Sequence, residues 1–285
     1  MKQVVLVGGG HSHLEVVRRF GERPPPDAAI LLIDPATHAT YSGMVPGLIA
    51  GHYRFEDCHV DLARLCARAR VTFLNRRVCR IDSARQSIQL DDGSSIAYDL
   101  ASLDVGSTPA AVRTPGVAEH ALMVKPFAGF EQRMNEVLDG VRKSRVRHIA
   151  VVGGGSAGVE LALSLRHRIR QFTNETKVSF ALITADDYLL RSHNPRVRTI
   201  VARLMNDRGI AVHTNMKAEQ LVAGSIICSG GTVISSDVTI WATGPAAPAW
   251  FGGSGLALDA RGFLSVDATL RSEEHTSELQ SRLHL

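Results

Sequence analysis

Residues 151–160 read VVGGGSAGVE, and they are the most informative part of the sequence about the fold. An apolar run leads into it, and a helical pattern follows it to about Phe172. Its glycines, Gly153, Gly155 and Gly158, have the spacing at which a strand turns tightly into a helix that packs closely against it. The N–H groups and partial positive charge of a helix N-terminus favour phosphate groups. The stretch therefore predicts a βαβ unit that binds a dinucleotide.

A second loop of this kind lies near the start of the chain, where residues 4–13 read VVLVGGGHSH. Gly8 and Gly10 match the first two glycines, whereas His13 stands at the third position, which is a departure from the pattern. Support comes from Asp34, which ends the next apolar strand, because an acid at this place accepts hydrogen bonds from a ribose diol. For both loops the alternative is a βαβ unit that holds no nucleotide.

The end of the corresponding strand in the second half differs. The strand predicted over 178–183 runs into Thr184, and the nearest acids are Asp186 and Asp187. These carboxylates would repel a 2′-phosphate, but Arg191 could reach one. The sequence therefore favours NADH over NADPH as the cofactor of the second site but does not exclude NADPH.

The repeat extends beyond the two loops. Each βαβ unit is followed by a predicted hairpin, with turns at residues 91–93 and 230–231. Each hairpin precedes an apolar strand that closes on a glycine, Gly106 or Gly244. A duplicated unit explains these features together. It predicts an α/β fold of two Rossmann-like three-layer dinucleotide-binding domains, the second inserted into the first.

On these motifs the chain resembles the two-dinucleotide-binding-domain flavoproteins of the pyridine nucleotide-disulfide oxidoreductase superfamily. Residues 153–162 and the turn at 242–244 look like the branch that contains type II NADH dehydrogenases. Residues 8–14 and 41–47 look more narrowly like the flavoprotein module found fused to selenide, water dikinases. The resemblance covers about residues 2–270.

The resemblance implies a FAD-dependent oxidoreductase that transfers a hydride from NAD(P)H to FAD and on to a quinone or another small acceptor. The alternative is a non-catalytic NAD(P)H-binding sensor or regulatory module, or an inactive truncated flavoprotein. The implied domains are 1–120 with 246–270 for FAD and 121–245 for NAD(P)H.

The resemblance also implies site residues. For FAD these are Gly8, Gly10, His13, Asp34, Val78, Gly106 and Ser107. For NAD(P)H they are Gly153, Gly155, Gly158, Glu160, Asp186 and Gly244. Glu160 and Pro46 would lie near the flavin and the nicotinamide, and no residue is assigned a definite catalytic role.

Three further residues fit either a functional role or an ordinary place in the core or on the surface. Tyr41 to Pro46 would approach the isoalloxazine, although Tyr41 and Met44 fit a hydrophobic core equally well. Lys125-Pro126 would mark the crossover into the second domain, although Lys125 also fits a solvated surface.

The cysteines argue against disulfide reduction. Reductases of this superfamily commonly carry Cys-x4-Cys beside the flavin, and none of Cys58, Cys66, Cys79 and Cys228 makes that pair. The sequence also contains no Cys-x-x-Cys spacing, so the cysteines do not suggest a metal site. Unpaired cysteines and the lack of a signal-peptide pattern predict a cytoplasmic protein.

Composition adds few constraints. The net charge is +4 and the arginines are scattered without interleaved aromatic residues, so solvated faces explain them better than nucleic-acid binding does. No apolar run is long enough for a transmembrane helix. By the resemblance we expect a quinone-like small-molecule acceptor, peripheral contact with the inner membrane face through a missing C-terminus, and a fused or neighbouring selenide, water dikinase domain.

The last residues are unusual. Leu264 to Leu270 is predicted to be a strand that returns to the first domain. Residues 271–285 match the in-frame translation of a short-read sequencing adapter, and we expect them to be a non-native tail on a truncated chain, the alternative being a genuine polar tail. Truncation would remove a Gly-Asp motif that contacts FAD in the family, together with any C-terminal membrane-binding region.

Overall fold

The computed structural model describes residues 1–109, 114–125, 127, 129–173, 178–272 and 278–280. Their backbone forms two compact units. The first unit comprises Met1–Tyr41, Glu56–Thr108 and Ala246–Leu285, and the second comprises Ser42–Phe55 and Pro109–Pro245. By compactness, residues 42–55 and 109–120 thus group with the second unit, whereas the functional domain boundaries stay a prediction.

The elements in chain order are as follows. The helices are α1 (His11–Glu22), α2 (Val45–Ala50), α3 (Phe55–Cys58), α4 (Leu62–Ala69), α5 (Val117–His120), α6 (Phe130–Arg142), α7 (Ser156–Arg170) and α8 (Pro195–Asp207). The first ten strands are β1 (Lys2–Val7), β2 (Ala28–Ile33), β3 (His38–Thr40), β4 (His59–Asp61), β5 (Thr72–Leu74), β6 (Val78–Asp82), β7 (Ser87–Leu90), β8 (Ser95–Ala97), β9 (Leu100–Leu103) and β10 (Thr108–Pro109). The others are β11 (Ala121–Met123), β12 (His148–Val152), β13 (Ser179–Ile183), β14 (Ile210–His213), β15 (Ala218–Val222), β16 (Ser225–Cys228), β17 (Val233–Ser235), β18 (Val238–Trp241), β19 (Pro245–Ala246) and β20 (Glu278–Gln280).

The first unit is built on a parallel sheet in the order β20-β9-β1-β2-β5. Successive side chains of a strand point to opposite faces, and β1 and β2 bury both faces. Val5 and Val7 pack on the side that also holds the antiparallel sheet β6-β7-β8. Leu6 and Leu32 pack on the other side, against α1 and α4. This is the predicted three-layer arrangement.

The second unit repeats the arrangement. Its parallel sheet has the order β11-β18-β12-β13-β14. Ile149 and Val151 of β12 pack with the core-facing residues of α6, α7 and α8. Ala150 and Val152 pack on the opposite face, with residues of β15 and β16. The α/β fold class, with two Rossmann-like units and the second inserted into the first, is confirmed.

The strand predicted over residues 264–270 is wrong. The side chain of Asp267 accepts hydrogen bonds from the N–H groups of Thr269 at 2.7 Å and Arg271 at 3.0 Å. These bonds close a turn in which Leu270 has a φ of 64°, so the chain reverses instead of extending. Only isolated antiparallel bridges form here, at Leu264 and Val266.

The predicted non-native tail lies mostly outside the described residues. Its residues 278–280 form β20, which pairs in parallel with β9 at the edge of the first sheet. The origin of the tail stays a prediction. Across the described part of the chain, we find no helix long and apolar enough to cross a membrane.

Candidate dinucleotide-binding sites

The first glycine loop turns from β1 into α1. Gly8 has a φ of +91° and lies against the carbonyl of Asp104, where a Cβ atom would collide with the backbone. Gly10 is the N-cap of α1, and it has no capping side chain of its own. The turn therefore places the first N–H groups of the helix at the carboxyl end of the sheet, where open α/β sheets bind their ligands.

His13 replaces the third glycine of this loop and is 2% exposed. Its Nδ1 donates a hydrogen bond to the Gly8 carbonyl at 2.6 Å, which leaves Nε2 to accept one from the Ser102 hydroxyl at 2.8 Å. Burial lowers the pKa of His13, although the Gly8 carbonyl, Asp104 and Asp34 act in the opposite direction. The neutral ring ties α1 to β1 and β9, so its side chain is occupied by protein contacts.

Asp34 lies just beyond β2, beside the first loop. Its carboxylate accepts the N–H of Gly9 at 2.6 Å and the N–H of Ala36 at 2.7 Å. Burial raises the pKa of Asp34, against the lowering effect of these two bonds and of Arg77. The carboxylate is therefore fixed against the loop, in the place predicted for a ribose-binding acid.

Asp104 is the site residue that the sequence interpretation missed. It follows β9 and is 4% exposed. Its Oδ2 accepts the N–H of Ser12 at 3.0 Å and the N–H of His13 at 3.4 Å. A Cβ atom on Gly10 would overlap this carboxylate. The sequence did contain a signal, because Asp104 directly follows an apolar strand at the position where the second half of the chain has Ala242.

The second glycine loop turns from β12 into α7. Gly153 has a φ of +130° and lies against the carbonyl of Ala242. Gly158 faces the carbonyl of Gly153 so closely that a Cβ would overlap it, which explains the third glycine. Gly155 is the N-cap of α7, and no described atom lies within 4 Å of where its Cβ would be. The N-terminus of α7 thus faces open space.

A cavity of about 470 Å³ adjoins this loop. It is lined by Gly154, Gly155, Asp186, Leu190, Arg191 and Ser192. The N–H of Leu190 donates to the Gly154 carbonyl at 2.8 Å, which joins the two walls of the cavity. A larger cavity of about 600 Å³ lies near the start of β12, at residues that include Arg147 and His148. The smaller cavity is the one at the carboxyl end of the sheet, where ligands of this fold bind.

The wall after β13 carries charge. Thr184, which stands where the first unit has Asp34, is buried against Gly154. Arg191 lies 3.3 Å from the carboxylate of Asp186 and 4.0 Å from that of Asp187. All three charged side chains are substantially exposed, so these ion pairs are weak, and the group carries a net negative charge.

The other predicted site residues are more scattered. Val78 is buried in the core of the first unit, and Glu160 lies on the exposed side of α7. Gly106 and Gly244 are exposed and follow β9 and β18. Half-buried Ser107 directly follows Gly106.

Residues 41–46 and Lys125 complete the predicted set. Tyr41 is 50% exposed, with its ring 4.8 Å from the ring of His11. In the second unit, Met44 precedes α2 and Pro46 lies in its first turn, both half-buried. Burial lowers the pKa of Lys125. Pro126 lies outside the described residues.

All four cysteines are free thiols. Cys58, Cys66 and Cys228 are buried, and Cys79 is exposed. Burial raises the pKa of Cys66 to about 11, which keeps its thiol protonated and unreactive at neutral pH.

Comparison with known proteins places these features in a family. The sequence pattern of the family described as Pyridine nucleotide-disulphide oxidoreductase matches residues 2–276. An NADH dehydrogenase-like protein of Mycobacterium tuberculosis is 24% identical over 287 residues, which cover 95% of this chain and 70% of that protein. A type II NADH:quinone oxidoreductase of Haemophilus influenzae is 22% identical over 288 residues, covering 86% of this chain and 64% of that protein.

A solved structure shares the fold. The NDH2 of Plasmodium falciparum in complex with NADH superimposes with a TM-score of 0.85 at 18% identity, covering 98% of this chain and 63% of that one. At this identity the likeness concerns the fold. The chain spans between about three fifths and seven tenths of the length of these three proteins.

Proposed function

Because the chain belongs to the pyridine nucleotide-disulphide oxidoreductase family, we propose that it transfers a hydride from NAD(P)H to FAD and reduces a quinone or similar small acceptor. Membership of the family makes the chain an oxidoreductase whose cofactors are FAD and NAD(P)H. The observation that carries the proposal is the pair of glycine loops, each at the carboxyl end of its own parallel sheet and each capping a helix.

The residues of the first loop fit FAD. Gly10 lacks the side chain that would block an anion at the N-terminus of α1, and Asp34 is held where it can accept a ribose hydroxyl. An anion already occupies this position, since the Asp104 carboxylate accepts the N–H groups of Ser12 and His13. The first unit therefore has the donor set that a pyrophosphate needs.

The residues of the second loop fit NAD(P)H. Gly155 leaves the N-terminus of α7 open, and the adjoining cavity of about 470 Å³ gives the dinucleotide room. The cofactors, when bound, supply the hydride chemistry, and the chain supplies their binding and orientation. Gly153 and Gly158 allow the tight turn into α7, whose first N–H groups would hold the phosphates of the cofactor.

We propose that NADH is preferred to NADPH. The net negative charge of Asp186, Asp187 and Arg191 opposes a 2′-phosphate, because Arg191 already pairs with carboxylates. Replacing Asp186 by alanine removes one of these carboxylates and leaves Arg191 paired with Asp187 alone. The expected result is a shift of kcat/KM towards NADPH of about tenfold, which corresponds to roughly 1.4 kcal/mol. Asp207→Ala is a matched control at the end of α8, and it should leave the preference unchanged.

The choice of a quinone rests on two supports. The Haemophilus relative is named a type II NADH:quinone oxidoreductase. The four cysteines of this chain are free and do not form the Cys-x4-Cys pair that disulfide reduction needs. The finer proposal is that the protein works in the cytoplasm, in peripheral contact with the inner membrane face, beside or fused to a selenide, water dikinase. The sequence similarity at residues 8–14 and 41–47 supports that partner.

A non-catalytic NAD(P)H sensor is the second candidate. It is favoured by the hydrogen bonds that Asp34 and Asp104 already make to the first loop, since these occupy donors that FAD would need. Turnover separates the two candidates. With FAD and a soluble quinone added, the enzyme consumes NADH and reduces the quinone, and omission of FAD stops the reaction. A protein that binds NADH but does not oxidise it under these conditions is the sensor.

A further inference from the structure

The N-terminus of α1 is already covered by an internal anion. Asp104 Oδ2 accepts hydrogen bonds from the backbone N–H groups of Ser12 at 3.0 Å and His13 at 3.4 Å. Asp104 lies about 90 residues after these two donors in the sequence. The carboxylate is buried, with 4% of the residue exposed. Two charge-assisted bonds at a helix N-terminus make this a favourable place for a negative charge.

The corresponding place in the second unit lacks such an anion. Asp104 and Ala242 are equivalent, because the N–H of Asp104 bonds to Val7 and that of Ala242 to Val152, both at 2.8 Å. Their carbonyl groups also face the equivalent glycines of the two loops. Aspartate and alanine thus distinguish two otherwise matching sites.

The space at each helix N-terminus follows from this difference. A Cβ built on Gly10 overlaps the Asp104 carboxylate, whereas a Cβ built on Gly155 has no described neighbour within 4 Å. Gly10 and Gly155 are the glycines that let a pyrophosphate approach the backbone. The carboxylate therefore stands at the position that a pyrophosphate would take.

We propose that Asp104 is a built-in competitor of the FAD pyrophosphate, a residue that determines the cofactor affinity of the first site. The inference rests on the proposed assignment of FAD to the first unit. FAD can reach the N–H groups of Ser12 and His13 only when the carboxylate gives them up, and two anions at one helix N-terminus repel each other. In the absence of FAD, the same carboxylate stabilises the start of α1.

The test replaces Asp104 by asparagine, which keeps an oxygen acceptor and removes the charge. The dissociation constant of FAD, measured by flavin fluorescence, should fall about tenfold, and the unfolding midpoint of the FAD-free protein should fall as well. Asp99→Asn is the matched control. Asp99 is exposed, precedes β9 and accepts a backbone N–H from Gln3 at 2.6 Å, and its variant should keep the wild-type affinity for FAD.

The reciprocal variant, Ala242→Asp, places the carboxylate in the second unit. It should weaken NADH binding about tenfold, measured by calorimetry, and leave FAD binding unchanged. This variant keeps the proposal testable if the asparagine variant does not fold.

Equal or weaker FAD binding by a folded Asp104→Asn protein overturns the proposal, as does unchanged NADH binding by Ala242→Asp. A different set of binding results would contradict the assignment of FAD to the first unit instead. If neither wild type nor Asp104→Asn binds FAD while both bind NADH, FAD does not belong to the first unit. Asp104 then has no FAD to compete with.

Discussion

At the scale of the residue, His13 explains how the first loop departs from the glycine pattern without losing its shape. The second loop needs Gly158 because the Gly153 carbonyl lies where a Cβ would be. In the first loop the equivalent carbonyl, that of Gly8, accepts a hydrogen bond from the His13 ring at 2.6 Å. The histidine thus replaces close packing by a buried hydrogen bond, and Ser102 completes it.

The His13 ring predicts a pH dependence. Burial lowers its pKa below the usual 6.5, so the unfolded chain takes up a proton at a higher pH than the folded chain does. The contribution of His13 to the free energy of unfolding should therefore be fully present above about pH 6.5. It should be lost as the pH falls through the lower pKa of the folded protein. Denaturant titrations across this range measure it.

The matched variants are His13→Gln and His120→Gln, the second of which changes an exposed histidine. His13→Gln should cost about 1–3 kcal/mol at neutral pH through its lost buried hydrogen bonds and should show a flatter pH dependence. His120→Gln should retain the wild-type slope. Identical slopes for wild type and His13→Gln would contradict the role given to His13.

Gly155 predicts a loss of binding without a loss of stability. A methyl group at this position meets no described atom, so Gly155→Ala should change the free energy of unfolding by no more than about 0.5 kcal/mol. The methyl group would nevertheless occupy the approach to the N-terminus of α7. NADH affinity should fall at least about tenfold in calorimetry, with FAD affinity unchanged. Gly252→Ala, another uncrowded glycine, is the control, and unaltered NADH binding by Gly155→Ala would be evidence against this site.

At this scale the sequence predicted the glycines, because their spacing is a local pattern. The hydrogen bond from Gly9 to Asp34 depends on strand register, and the sequence did not predict it. Asp104 could not be predicted from its own surroundings, since its partners Ser12 and His13 lie far away in the chain. Only alignment of the two halves against each other would have marked it.

At the scale of the element, the apolar patterns gave strands and helices close to those observed. The helical pattern predicted to run to about Phe172 ends at Arg170, and the strand predicted from Val178 begins one residue later, at Ser179. The exception is the strand predicted over residues 264–270. Its apolar pattern was overridden by the Asp267 side chain, which competes for the backbone N–H groups and closes a turn.

The contact between β12 and α7 predicts the effect of Gly158→Ala. The added methyl group would overlap the Gly153 carbonyl, so the helix must move away from the strand. We expect a loss of about 1–3 kcal/mol in the free energy of unfolding together with weaker NADH binding. His167→Gln, at an exposed position in the last turn of α7, should leave both unchanged. A fully stable Gly158→Ala protein would show that the close contact is not needed.

At the scale of the whole molecule, the two units repeat one design with different end residues. Each unit places a parallel sheet between helices and a small antiparallel sheet, and each has a glycine loop at the carboxyl end of its first strand. The ends differ in chemistry, since Asp34 and Asp104 belong to the first unit and Thr184 and Ala242 to the second. The periodicity of the sequence could predict the repeat, whereas the choice of electron acceptor depends on parts of a protein that a fold does not determine.

Under the proposed function, one chain binds both FAD and NADH and passes a hydride between them. The most direct measurement is an anaerobic titration of the FAD-loaded protein with NADH, followed by the flavin absorbance. We expect the absorbance to bleach with an equal amount of NADH and to return when a quinone is added, and we expect Gly155→Ala to require much more NADH. An oxidised flavin spectrum that persists while NADH is bound would contradict it.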